Sequence, residues 1–193
     1  MMKPYTYFIF MLSSSLIISL VVGAEAQKGP IPVENWFSKL ANAKEKVTKL
    51  HFYFHDIVSG KKPTAVPVAR ANSTFASPTY FGLLSVIDNP LTTGPGPKSE
   101  IVGRAQGITG YSSFKEFSLL MTLNLVFTSG DYNGSTLSVV GYNPFTQEYR
   151  EMPIVGGSGV FRLARGVATA HTAKFNRRTG NAVVEYNVMV LHY

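Results

Sequence analysis

A carboxylate that closes a run of aromatic residues invites acid chemistry. When residues 49–58 are read as a strand, Leu50, Phe52, Phe54, Asp56 and Val58 share one face, and His51, Tyr53, His55 and Ile57 share the other. Asp56 therefore stands on the face of two phenylalanines. Buried there, it needs a cationic or hydrogen-bonding partner, or its pKa rises and it becomes a proton donor near neutral pH. The alternative is that Asp56 merely ends the strand and caps the turn before Ser59 and Gly60. The second chemical stretch is 150–166, with Gly156, Gly157, Gly159 and Gly166 among Arg150, Arg162 and Arg165. It reads as a bend between strands with charge beside it. It is no phosphate loop: the dinucleotide fingerprint needs a third glycine where Arg162 stands, and a Walker loop needs Gly-Lys-Ser/Thr. His51 and His55 lie four apart on a strand, poorly placed to share a metal. With four histidines and no cysteine in the chain, no metal and no cofactor are expected.

The elements that must position these residues are short apolar runs separated by Gly, Pro, Asn and Asp at intervals of about ten residues, the pattern of an antiparallel sandwich or barrel. Candidate strands are 49–58, 65–69, 81–88, 100–110, 117–128, 135–142, 160–171 and 182–192. Eight such strands can close into an antiparallel β-barrel, which removes sheet edges and leaves room for one small ligand. A two-sheet sandwich is the alternative. Ahead of them, residues 27–48 form an N-terminal arm with at most a helical turn, and no long amphipathic helix is expected.

Residues 1–26 read as a cleaved signal peptide, with Lys3, an apolar run over 5–23 and Ala24-Glu25-Ala26 as the cleavage pattern. The alternative is a membrane anchor. Removal takes Lys3 and Glu25 together, so the formal charge stays at +7. Secretion fits two glycosylation sequons, at Asn72 and Asn133, the second doubling as an Asn-Gly turn. The basic balance suits acidic polysaccharide. Nucleic acid is not indicated, because Lys and Arg are scattered, and the doublet Arg177-Arg178 reads as a solvated turn. No membrane is expected once the signal is removed.

At Leu50 to Gly60 the chain resembles the plant dirigent protein family. The likeness continues through Val86-Ile87-Asp88-Asn89-Pro90, Val102-Gly103-Arg104-Ala105-Gln106-Gly107, Tyr132-Asn133-Gly134-Ser135-Thr136, the 150–166 stretch, Val184-Glu185-Tyr186-Asn187 and Val190-Leu191-His192-Tyr193. The resemblance implies an eight-stranded antiparallel barrel, secreted to the plant cell wall (apoplast), glycosylated and oligomeric, as a trimer or dimer. It also implies a guide with no oxidative activity of its own. A separate laccase or peroxidase makes phenoxy radicals, for example from coniferyl alcohol, and the protein fixes the face at which they couple, in lignan or related phenylpropanoid biosynthesis. Some relatives instead act as pterocarpan-forming lyases, closing a ring through a quinone methide.

Residue by residue, the resemblance assigns Asp56 as the first-strand acid, Arg165 as a pocket arginine and Tyr111 as the second of two pocket tyrosines, with Thr109 at the place of the first. Lignan-forming members carry Asp after Gly-Thr-Gly, whereas Val160 follows Gly157-Ser158-Gly159 here. The chain also lacks their cysteine pair, so it resembles the broader dirigent-like branch. Arg104 and Arg165 can equally be ion-pair partners of Asp56 or Asp88. Side chains from loops such as 92–99 can add to the pocket. Three readings stand: a radical-coupling guide, a lyase that needs no oxidase, and a cell-wall protein that binds a hydrophobic ligand without changing it.

Overall fold

The computed structural model describes residues 33–193, which fall into two compact units, one ending at Ala41 and one spanning Asn42–Tyr193. The segment expected to be a signal peptide and the first part of the expected arm lie outside the described residues. In the first unit, α1 (Val33–Leu40) carries Glu34 in its first turn and Lys39 in its last, the charges that complement a helix dipole.

The second unit is β1 (Lys46–Asp56), β2 (Ala65–Ala69), β3 (Leu84–Thr92), β4 (Ile101–Tyr111), β5 (Leu119–Phe127), β6 (Thr136–Asn143), β7 (Tyr149–Ser158), β8 (Arg165–Phe175) and β9 (Ala182–His192). The antiparallel order is β1-β9-β8-β7-β6-β5-β4-β3, and β1 pairs with β3 to close the ring. Eight strands thus form a closed barrel. β2 lies outside that ring, paired with the first half of β3, while β1 meets its second half only through Tyr53–Thr92 and Phe54–Leu91.

The expected number of strands is right, but one member differs. The 65–69 segment is the extra edge, and the eighth barrel strand is β7, within the stretch expected to be a bend. Its alternation explains why: Arg150, Met152 and Ile154 are buried, whereas Glu151, Pro153 and Val155 are exposed. Pro153 is tolerated beside a register shift in the β6–β7 pairing, and Gly141 leaves it room, since a Cβ there would sit 2.8 Å from the proline ring. β1 starts at Lys46, earlier than expected, and β8 runs on to Phe175.

Inward residues fill the barrel unevenly. β4 and β8 present small ones, Gly103, Ala105 and Gly107 against Gly166, Ala168 and Ala170, whereas β1 and β9 present Phe52, Phe54, Tyr186 and Val188. One end is plugged. Phe161, fully buried, packs 5.0 Å from Tyr132, 5.2 Å from His192 and 5.7 Å from Phe127. Burying a phenylalanine contributes roughly 1.5–3 kcal/mol, so this plug anchors the closed end. The 92–99 loop, between β3 and β4, lies against His55, the neighbour of Asp56 on β1: Thr92 Oγ1 bonds the His55 ring at 2.7 Å and the Gly94 carbonyl at 2.7 Å.

Candidate active site at the open end of the barrel

At the other end, strand termini carry inward polar groups. Asp56 is the last residue of β1, Tyr111 of β4 and Asn143 of β6, while Arg150 is the second residue of β7 and Thr172 lies near the end of β8. The period-2 alternation of each strand turns them inside. Asn89, fully buried on β3, donates from Nδ2 to Asp56 Oδ1 at 3.1 Å and accepts from Thr64 Oγ1. Burial pushes the Asp56 carboxyl above its ordinary value, and the Asn89 amide offsets this only in part. Among the described residues, Asp56 forms no ion pair.

Tyr186 on β9 lies in one cross-strand row, Phe52–Tyr186–Ala170–Arg150. Its ring stacks on Phe52 at 5.7 Å and leans on Phe54 at 5.7 Å. Burial pushes its phenol up to about 12; the Arg150 charge opposes this and the Asp56 charge adds to it. Arg150, 4% exposed, reaches Asn143 Oδ1 at 3.3 Å, Thr172 Oγ1 at 2.9 Å and the Gln147 carbonyl at 3.4 Å. Burial lowers its pKa, yet a guanidinium stays protonated at neutral pH. The interior thus holds a fixed positive charge, a neutral phenol and a carboxyl biased toward its protonated form.

Around the mouth stands an aromatic rim. Tyr111 meets Tyr80 at 5.9 Å and Phe145 at 6.0 Å, and Phe117 joins them at 6.4 Å and 6.1 Å. Burial raises the Tyr111 phenol, with Asp56 and then Tyr80 adding to the effect. Tyr80 has φ 57, a left-handed conformation that costs a residue with a Cβ about 1–3 kcal/mol and is common where function over-determines the backbone. A cavity of about 280 Å³ reaches Asp56 from the side, past Phe175, Asn181 and Val183. Five of its nine lining residues, His55, Asp56, Lys174, Asn176 and Asn181, are polar or charged, and the separate aromatic rim offers the flat apolar surface that suits one aromatic ligand.

A model of the Dirigent-like protein family matches residues 47–191. The chain belongs to the dirigent family. Dirigent protein 23 of Arabidopsis thaliana is 48% identical over 161 residues, covering 83% of this chain and 86% of its own. Pterocarpan synthase 1 of Glycyrrhiza echinata is 42% identical over 194 residues and covers both chains fully. Two solved pterocarpan synthase dirigent proteins are each 46% identical, with TM-scores of 0.73 and 0.72; they cover 78% of this chain and 87% and 99% of their own.

Within this dirigent barrel, the structure brings Asp56 and Tyr111 together, with Thr109 on the same inward face as Tyr111. Arg165 is not part of the pocket. Strand parity turns it outward, opposite to the inward Gly166, Ala168 and Ala170, and its guanidinium pairs with Glu45 at 2.7 Å with the side chain 59% exposed. The buried arginine is Arg150. Arg104 is an outer-wall residue paired with Asp88. Val160 sits exposed in the turn Gly159–Phe161 at the plugged end, far along the barrel from Asp56. Asn72 and Asn133 are both exposed. The reading missed Asn89, Arg150 and Tyr186. The signal for Arg150 was its alternation with Met152 and Ile154; for Tyr186 it was alternation with Val184 and Val188; the partner role of Asn89 depends on barrel closure and had no local signal.

Proposed function

We propose that this dirigent protein holds one phenolic intermediate at the barrel mouth and fixes the face at which its new bond forms, and that the reaction is ring closure through a quinone methide. The carrying observation is Asp56: a largely buried carboxyl, without an ion pair among the described residues, biased toward its protonated form beside Tyr111 and Tyr186. In this scheme the Asp56 carboxyl gives its proton to a benzylic hydroxyl as the C–O bond breaks and water leaves. The substrate phenol supplies the electron pair and returns its own proton to the carboxylate, leaving a neutral quinone methide. A second phenol then adds to the methide carbon, and its proton ends on the carbonyl oxygen. One water is lost and no electrons are exchanged. Arg150 provides a fixed positive field toward oxygen charge that develops in these steps. The likeness to pterocarpan synthases in sequence and fold supports the same reading.

The aromatic rim favours a second reading, stereoselective coupling of phenoxy radicals made by a separate laccase or peroxidase, because two stacked rings held at the mouth meet on one face only. Chiral chromatography separates the two. An isoflavanol incubated with protein and no oxidant is expected to close with enantiomeric excess, and Asp56→Asn to slow this by about 10²-fold or more. Excess found only with coniferyl alcohol plus laccase overturns the ring-closure reading. Unchanged products for Asp56→Asn in both assays leave a ligand-binding protein. Secretion to the apoplast, glycans at Asn72 and Asn133 and assembly with further copies belong to the same proposal. The leading apolar segment and the exposure of both asparagines support it.

A further inference from the structure

Two neighbouring loops at the open end, 57–64 between β1 and β2 and 176–181 between β8 and β9, are clasped through Asn181. Its Oδ1 accepts from the Val58 and Ser59 amides at 3.0 and 3.1 Å, and its Nδ2 donates to the Ser59 carbonyl at 3.4 Å. Ser59 Oγ in turn donates to the Thr179 carbonyl at 2.8 Å. The second loop is itself built, with Asn176 Oδ1 accepting from the Arg178 and Thr179 amides and Gly180 turning at φ 76. This clasp gathers Lys61 and Lys62 from one side and Lys174, Arg177 and Arg178 from the other, all exposed and none in an ion pair among the described residues. Five like charges held together without a counter-charge repel one another, and the fold fixes the loops that carry them.

We propose that this clasped cationic face binds an acidic polysaccharide, a polymer of uronate residues. An extended chain of single-charged carboxylates engages several cations at once, and each contact adds avidity. Arginine forks match carboxylates in paired hydrogen bonds. The secreted destination expected from the leading segment selects uronate over nucleic acid. Asp56, the nearest acid on these elements, is turned inside; Glu185 lies further along β9 and is held by His51 and Tyr53. Because the face borders the cavity that reaches Asp56, docking would hold the mouth close to the wall polymer.

Affinity electrophoresis of the full-length secreted protein through polygalacturonate tests this, with fully methyl-esterified polygalacturonate, single-stranded DNA and phosphatidylserine vesicles as comparison probes. Retardation by polygalacturonate is expected to exceed that by the ester and to fall with salt as screening shortens to about 8 Å at 0.15 M. R177E/R178E and K61E/K62E are each expected to weaken it by about tenfold or more. K98E/K115E, an equal change on exposed lysines elsewhere, is expected to leave it unchanged. Equal losses in K98E/K115E, equal binding of the ester, or tighter binding of DNA or vesicles overturns the proposal. R177Q/R178Q, checked for an unchanged thermal midpoint, serves if charge reversal disturbs folding. The readout is binding alone, so it stands or fails apart from the ring-closure reaction.

Discussion

Asp56 is held where ionisation is costly, and this fixes the sign of its effect on stability. Its native pKa lies above the ordinary 3.8, so across the interval between them the folded chain holds a proton that the unfolded chain has lost. Stability from this group is complete below 3.8 and is lost as pH rises through the raised value. Asp56→Asn is therefore expected to melt at a higher temperature than the parent at pH 7, with the gap closing as pH falls toward 4; melting curves across that range check it. The arginines give the complementary test. Arg150→Met leaves Asn143, the Gln147 carbonyl and Thr172 without their donor in a buried site and is expected to cost about 1–3 kcal/mol and to erode product selectivity. Arg165→Met removes a surface pair and is expected to cost less than about 1 kcal/mol with products unchanged. Denaturant titration and chiral product analysis separate the two. Asp56 was legible because its parity with Phe52 and Phe54 can be counted along the chain. Arg165 stands outside the pocket that the family resemblance implies for it, and the same counting, from Ala168 and Ala170, turns it outward.

At the scale of elements, glycine hid a strand. Gly156 and Gly157 made the 150–166 stretch look like a bend, yet only its final turn is one. The two glycines have different reasons. A Cβ at Gly157 would sit 2.5 Å from the Thr136 carbonyl oxygen and 2.6 Å from that of Phe161, where the plugged end folds over β7; at Gly156 a Cβ meets nothing within 4 Å. Gly157→Ala is expected to destabilise by about 1–3 kcal/mol, because two backbones must part, and Gly156→Ala to stay within about 0.5 kcal/mol. Thermal unfolding of the pair decides it. The remaining elements were legible because their apolar runs are bounded by turn residues. What the chain could not display locally was which short strand lies in the ring. Residues 65–69 form a short apolar run with a single buried member and 149–158 alternate, but only pairing with distant partners assigns one to the edge and the other to the barrel.

At the scale of the molecule, the outside of the barrel is not uniformly polar. Strand register sets Val66, Val86, Ile108, Thr122 and Val140 side by side across five strands, and the four aliphatic members are between 40% and 49% exposed. A continuous apolar row of that width is unusual on a monomer. Burial against further copies of the chain is expected, and Ile108→Glu is expected to shift sedimentation from an oligomer to a monomer; equal sedimentation of both proteins removes the idea. The ring itself is unequal around its circumference. β1 is matched with β9 along eleven residues but with β3 along two, and beyond those two the seam is held by the His55–Thr92 and Asp56–Asn89 side-chain bonds, while the Thr64 and Ala65 amides donate to the Ile57 carbonyl. Closure entropy is the same for every seam of a ring, so the one with the fewest rungs opens first. Deuterium is therefore expected to reach the amides that cross from β1 to β3 sooner than those between β8 and β9, as hydrogen exchange read by mass spectrometry can show. On the proposed function, the barrel is expected to behave less like a cup than like a sleeve with a slit, its seam breathing beside Asp56 so that a flat phenol gains a sideways path while the aromatic rim stays in place.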